Sequence, residues 1–200
     1  MMVLAPAPAG SVTQEAREVR VMLDIGSTIV TAFDNVWDRF MERLDGLDDA
    51  EYFWEPVPGG WSVRADGDGR WRIDGDGGGG PAPDPVPFTS IAWRTGHIGL
   101  TFVGFGDRLF AGGGLTLEEI DIPGSAMEAM AFLEGHYRGW IGGISTFDAE
   151  RWAAPIGPAF GPYADQTTAD LALHVLDEVT HHAAEVGVLR DLYLHRVSSP

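Results

Sequence analysis

Ile29, Phe33, Val36, Trp37, Phe40 and Leu44 recur at spacings of three and four, a rhythm that an α-helix converts into one continuous buried stripe. The pattern begins near Thr13, and Gly46 closes it. A second helix is expected after Phe88, with Thr89 or Ser90 as its N-cap, running to about Leu109. A third is framed by Pro123 and Ser125 and carries Met127, Met130, Leu133, Tyr137, Trp140 and Ile144 at helical spacing. The fourth opens near Thr167 or Thr168, after the turn-rich segment from Gly157 to Pro162, and its pattern holds through about Leu194. Four long helices with lengthy connections predict an all-α four-helix bundle with crossovers. No alternating run is strong enough to propose a sheet, and no internal repeat is present.

The connections have their own character. Glu51 to Arg64 mixes large aromatics with Pro and Gly, a composition suited to a packed irregular loop between helices 1 and 2 that lies over apolar surface. Ala65 to Pro87 contains four consecutive glycines, Gly77 to Gly80, and predicts a long exposed excursion with a short extended piece at Trp71 to Ile73. These glycines are not a phosphate loop, since neither GK[ST] nor a strand–GxGxxG–helix arrangement accompanies them. Residues 1–12 are rich in Ala and Pro without periodicity and are expected to be a disordered tail, as are the bland residues 197–200. The remaining 13–196 are expected to form a single domain, for which a 44% hydrophobic fraction with seven Trp and ten Phe supplies an ample core.

A formal charge of −17 with only 13 Lys and Arg spread along the chain argues against a nucleic-acid partner, because phosphate binding needs clustered cations. An anionic membrane would repel such a chain as well. There is no cysteine, so disulfides, thiolate metal sites and cysteine nucleophiles are excluded, and any thiol chemistry must use a thiol from outside. The apolar stretches fall short of the roughly 20 residues that cross a bilayer, and no basic n-region precedes an apolar one. A cytoplasmic protein with a small-molecule partner is expected.

The chemistry concentrates in His174 to Tyr193 (HVLDEVTHHAAEVGVLRDLY). Glu178 and His182, four residues apart, lie about 40° from each other around a helix and share a face. Leu171, Val175, Val186, Leu189 and Tyr193 surround them on the same projection, so both point toward the apolar side, which is costly unless they are paired. Two solutions stay open on spacing alone: a mutual hydrogen bond, or shared coordination of a cation. His97, the only histidine of the second helix, neighbours Trp93, Leu100, Thr101 and Gly104 on its inner side; a lone histidine in such company is more often a satisfied core group than a ligand. Glu185, three residues beyond His182, can orient that imidazole through its second nitrogen, or pair with His181 on a solvated flank beside His174. Trp54, Trp61 and Trp93 are candidates to wall a pocket with Thr101, although core packing explains the tryptophans equally. His136 and His195 read as surface residues, and Arg190-Asp191 as an ion-pair candidate at a helix end.

Three segments, Arg43 to Arg64 (RLDGLDDAEYFWEPVPGGWSVR), Phe88 to His97 (FTSIAWRTGH) and His174 to Tyr193, resemble the DinB-like superfamily, and within it the actinobacterial branch near the mycothiol-dependent maleylpyruvate isomerases. The likeness runs from about Asp34 to Tyr193. It implies a DinB/YfiT-like four-helix bundle with a three-residue metal site, one histidine from the second helix and an ExxxH or HxxxH pair from the fourth. Matched residue by residue, the ligands are His97, Glu178 and His182, with glutamate at the position where the isomerases carry it. Two histidines and a carboxylate leave a fourth position for water or substrate, the arrangement of a catalytic zinc; nickel and iron(II) accept the same set.

The resemblance thus implies a metal-dependent transferase or isomerase that activates a low-molecular-weight thiol of the mycothiol type, or water, toward a small electrophile. No catalytic residue is assigned beyond the three ligands. The additional C-terminal domain of the isomerases is not expected in this chain, which weighs against the isomerase reaction itself. The competing class is a non-catalytic metal-binding module or a sensor of metal or small molecule, with a homodimer as one form of it. A third reading is a plain bundle with a metal-free Glu178–His182 hydrogen bond.

Overall fold

Ser90, Ser125 and Thr167 decide where three of the long helices begin. The hydroxyl of each accepts a backbone N–H three residues on, from Trp93, Glu128 and Asp170 respectively, and so satisfies a donor that the first helical turn leaves open. Thr167 is reinforced by Asp170, whose carboxylate accepts from the Thr167 backbone N–H in a reciprocal box.

The computed structural model describes residues 14–75 and 83–196, with side chains from residue 25 onward. The tail at 1–12, residues 197–200 and the glycine run Gly77 to Gly80 lie outside the described residues. Among the described residues six α-helices follow in order: α1 (Gln14–Leu44), the short α2 (Asp49–Tyr52), α3 (Ile91–Gly106), α4 (Ala126–Ile144), the short α5 (Ala149–Ala153) and α6 (Thr168–Leu194). The four long ones are those expected. α3 continues into a wide π-helical turn, Asp107–Ala111, that ends at Gly112 in the left-handed conformation, so the helical path passes the expected end near Leu109. No helix among the described residues is long and apolar enough to cross a membrane.

Side-chain pairings define the bundle. Phe33 meets Trp140 and Trp37 stacks on Tyr137 at 4.0 Å, so α1 and α4 run antiparallel. Phe105 of α3 meets His174 while Arg94 meets Glu185, so α3 and α6 are antiparallel too. Arg43 near the end of α1 reaches Asp191 near the end of α6, which makes that pair parallel. The four directions are therefore up, down, down, up. Parallel neighbours α3 and α4 cannot be joined by a tight turn, and the long 107–125 connection is the consequence. Where α3 meets α4, Gly99 faces the ring of Phe132, and a β-carbon there would sit 2.1 Å from Cε1. The shared core holds Phe33, Phe40, Ile98, Leu133, Trp140 and Val175, all essentially excluded from solvent.

Two expectations need correction. Met127, assigned to the inner stripe of the third helix, is 79% exposed, and Ala126 and Ala129 take the inner positions instead. A sheet, which the sequence pattern did not support, is present: β1 (Val63–Ala65) pairs antiparallel with β2 (Trp71–Ile73), Val63 opposite Ile73. Strands of three residues are too short to show alternation. The hairpin is held instead by Asp66, whose carboxylate accepts from the backbone N–H groups of Asp68 and Arg70, and by Val63 and Ile73 closing over Gly96 of α3. Directly after β2, the Asp74 carbonyl accepts from Trp93 Nε1 at 2.7 Å, and the hairpin thereby fixes the orientation of an indole that faces the candidate site.

Candidate metal centre

α6 supplies Glu178 and His182 one turn apart, and the antiparallel α3 brings His97 opposite them. Register between the two helices is set by apolar residues on either side: Val175, Val179 and Val186 of α6 and Ile98 and Phe102 of α3 are all buried. The Oε2 atom of Glu178 lies 3.3 Å from His97 Nε2 and 3.4 Å from His182 Nε2. One ligand atom from each of the three residues falls within 4.8 Å of the other two. The His182 side chain is almost closed off, at 8% exposure, whereas those of His97 and Glu178 keep 23% and 26%. Of the pair expected to point toward the apolar side, His182 does so almost completely, while Glu178 stays partly open with His97, so one side of the cluster is open.

The far side of His182 is closed by an ionic chain. Its Nδ1 is 2.7 Å from Glu185 Oε2, and Arg94 NH1 is 2.8 Å from the same oxygen. Two donors thus converge on one carboxylate oxygen, and the 2.9 Å approach of Arg94 to Nδ1 is the contact that this convergence produces. A carboxylate can only accept, so the proton of a neutral His182 resides on Nδ1 and its Nε2 carries a lone pair toward Glu178. Burial, with help from His97 and Arg94, draws the His182 pKa below the ordinary imidazole value, and the hydrogen bond to Glu185 only partly opposes this. At neutral pH the ring is therefore uncharged. The lone pair of Nε2 and the carboxylate oxygen of Glu178 then face each other 3.4 Å apart with no proton between them, an arrangement that a cation relieves. Glu185 does both things the sequence offered as alternatives, since its other oxygen takes His181 Nε2 at 3.2 Å.

A model of the DinB superfamily matches residues 32–186 of the chain. The chain belongs to the DinB superfamily. That match spans the bundle from α1 into α6 and includes all three clustered residues. Members of the superfamily commonly bind a metal. No curated protein and no solved structure matches the chain with significance.

The donor set of this DinB domain fits a divalent metal. Bonds of about 2.0–2.1 Å to nitrogen and oxygen separate adjacent ligand atoms around a tetrahedral ion by roughly 3.3 Å, and the two Glu178 contacts, 3.3 and 3.4 Å, have that length. Among the other residues singled out in the sequence, Trp93 stacks on His97 with ring centroids 4.9 Å apart and planes 7° from parallel. Trp61 backs Trp93 at 5.9 Å. Thr101 returns its hydroxyl to the His97 carbonyl and lines a groove beside that histidine. Trp54 is elsewhere: it packs on Tyr193, eleven residues past His182 and so about 16 Å along the helix.

His181 stacks on His182 at 4.5 Å and is exposed. His136 is half-buried beneath Phe132 rather than on the surface, and burial lowers its pKa. Arg94 went unassigned in the sequence. It stands three residues before His97, a spacing that puts both on one side of α3, and that was the available signal.

Proposed function

We propose that this DinB domain is a metal-dependent enzyme whose His97, Glu178 and His182 hold one divalent ion, zinc in first place and nickel or iron(II) as alternatives. Its substrates are a low-molecular-weight thiol of the mycothiol type, or water, and a small electrophile that is transferred or isomerised. The observation that carries this reading is the convergence of Glu178 Oε2 on His97 Nε2 and His182 Nε2 at 3.3 and 3.4 Å, with His182 Nδ1 held from behind by Glu185. A metal bound there would supply Lewis acidity, lowering the pKa of a thiol or water at the position the three residues leave free.

The chain's own residues do the rest. Glu185 holds the His182 tautomer, Trp93 holds the plane of the His97 ring, and Glu178 adds the negative charge that lets a cation sit between two neutral imidazoles. Support for catalysis over a sealed metal-binding module comes from the partial exposure of His97 and Glu178 and from the groove that begins at His97. The absence of cysteine leaves an external thiol as the sulfur source. The resemblance to the mycothiol-dependent isomerases supports the thiol class.

Protein purified without tag or chelator is expected to contain about one equivalent of zinc, nickel or iron by elemental analysis. With cobalt(II) in the site, adding a low-molecular-weight thiol should produce thiolate charge-transfer absorption. Failure to retain any metal after reconstitution would remove the catalytic reading and leave a helical bundle with a structural Glu–His pair.

A further inference from the structure

The groove beside His97 runs along one face of α3 and has a volume of about 160 Å³, the space of roughly five water molecules. It is lined by His97, Leu100, Thr101, Gly104, Phe105 and Arg108. Its floor at Gly104 is bare, since a β-carbon built there meets nothing within 4 Å. Its far end is cationic. The Arg108 guanidinium turns back over the Phe105 ring, 5.9 Å from the centroid, as long side chains on a helix lean toward the N-terminus. That places the charge about eight residues beyond His97, or roughly 12 Å along the helix.

Arg108 has no carboxylate partner among the described residues. Its neighbour Asp107 is an obvious candidate but is committed elsewhere, its Oδ2 accepting from the backbone N–H groups of Gly114 at 2.8 Å and Leu115 at 3.1 Å. Arg43, Arg64, Arg72, Arg94, Arg138 and Arg190, in contrast, all have a carboxylate within 3.0 Å. A chain with a formal charge of −17 would repel a small anion over most of its surface. Its 13 cationic side chains are all arginines, and Arg108 is the one that lines this groove. The guanidinium also stands in the π-helical turn Asp107–Ala111, a local widening that recurs at functional sites.

We propose that the groove receives a slender small molecule whose carboxylate is taken by Arg108, whose apolar middle lies over Gly104 between Leu100 and Phe105, and whose reactive end reaches His97. The inference deepens the metal reading by naming a substrate class for the same site, and rests on it for the reactive end only. The carboxylate could belong to the thiol or to the electrophile; both present the same group to Arg108.

The test is calorimetric titration of the full chain, metal-free and zinc-loaded, with a straight-chain mercaptoalkanoate, its uncharged amide, and the thiol-free alkanoate of equal length. The carboxylates should bind at least about fivefold more tightly than the amide in both metal states, given the strength of a charge-assisted Arg–carboxylate contact. Arg108→Gln should erase that preference with unchanged metal content. Gly104→Leu, which fills the floor with a better helix former, should weaken all three probes. Equal affinity of carboxylate and amide for the parent would overturn the proposal, as would a preference that survives in Arg108→Gln.

An added gain for thiol over thiol-free carboxylate on zinc loading assigns the anion to the thiol substrate; no such gain assigns it to the electrophile. If zinc is never retained, the metal reading fails, while the preference for carboxylate in the metal-free protein still decides this one.

Discussion

His182→Ala and Glu178→Ala are each expected to yield a folded protein that no longer retains a metal. Removing His182 takes one of two nitrogen donors and leaves no charge stranded, because Glu185 keeps its contact with Arg94 at 2.8 Å. Removing Glu178 takes the only negative charge of the donor set, and its side chain is open enough, at 26% exposure, that water replaces it without a buried orphan. Circular dichroism should therefore match the parent while elemental analysis reads near zero. Glu185→Gln sits between these extremes. An amide can still accept from Nδ1–H but without charge, and loss of such an outer partner typically weakens metal binding about 10–100-fold. The ligand variants should lose more than that. A parent-like metal content in His182→Ala or Glu178→Ala would remove those residues from the donor set.

The largest effect on stability is expected at Arg190, far from the centre. Its Nε and NH2 grip the two oxygens of Glu51 at 2.9 and 3.1 Å. Its NH1 donates to the backbone carbonyls of Arg43 and Asp45 at the end of α1. Both side chains are closed to solvent, 10% and 4% exposed. One guanidinium therefore terminates α1, holds α2 and anchors the last turns of α6. Arg190→Met would leave Glu51 charged, buried and unpaired, and breaking such a pair costs about 3–5 kcal/mol. Urea unfolding should show the loss, and the double variant with Glu51→Leu should recover much of it, since a well-packed apolar pair often replaces a buried ion pair at little cost. A single variant within about 1 kcal/mol of the parent would mean the pair acts as an exposed one.

The contrast between these two regions explains what could be read before the fold was known. Glu178 and His182 were legible because one helical turn is a local quantity, and four residues of spacing place two side chains on one face whatever surrounds them. The caps at Ser125 and Thr167 are local in the same sense, as is the apolar stripe from Ile29 to Leu44. The third member of the cluster, His97, is 81 residues from Glu178. Its inward position could be read from helical phase, but its meeting with Glu178 was implied by family resemblance and not by any spacing.

The remainder was decided by packing between elements. Arg190 and Glu51 are 139 residues apart, and Arg190 beside Asp191 suggested an ion pair at the helix end; only the parallel approach of α6 to the end of α1 turns Arg190 inward. Asp191 meets Arg43 instead. Of the β1–β2 hairpin, the extended piece at Trp71 to Ile73 was legible, but its pairing with Val63–Ala65 was not, because strands of three residues show no periodicity; the hairpin nevertheless orients Trp93 through Asp74 and so bears on His97. Trp54 and Trp61 come from one aromatic loop and look equivalent in sequence, but the loop's path sends Trp61 behind Trp93 and Trp54 to Tyr193.

The sequence by itself determined the four long helices, where they start, and which faces carry imidazole and carboxylate, because all of these follow from intervals of a few residues. The tertiary structure alone decided that Arg94 of α3 joins Glu185 beside His182 and that the cluster opens on one side. These depend on how α3 lies against α6, an arrangement settled by the whole apolar core and not by any residue's near neighbours.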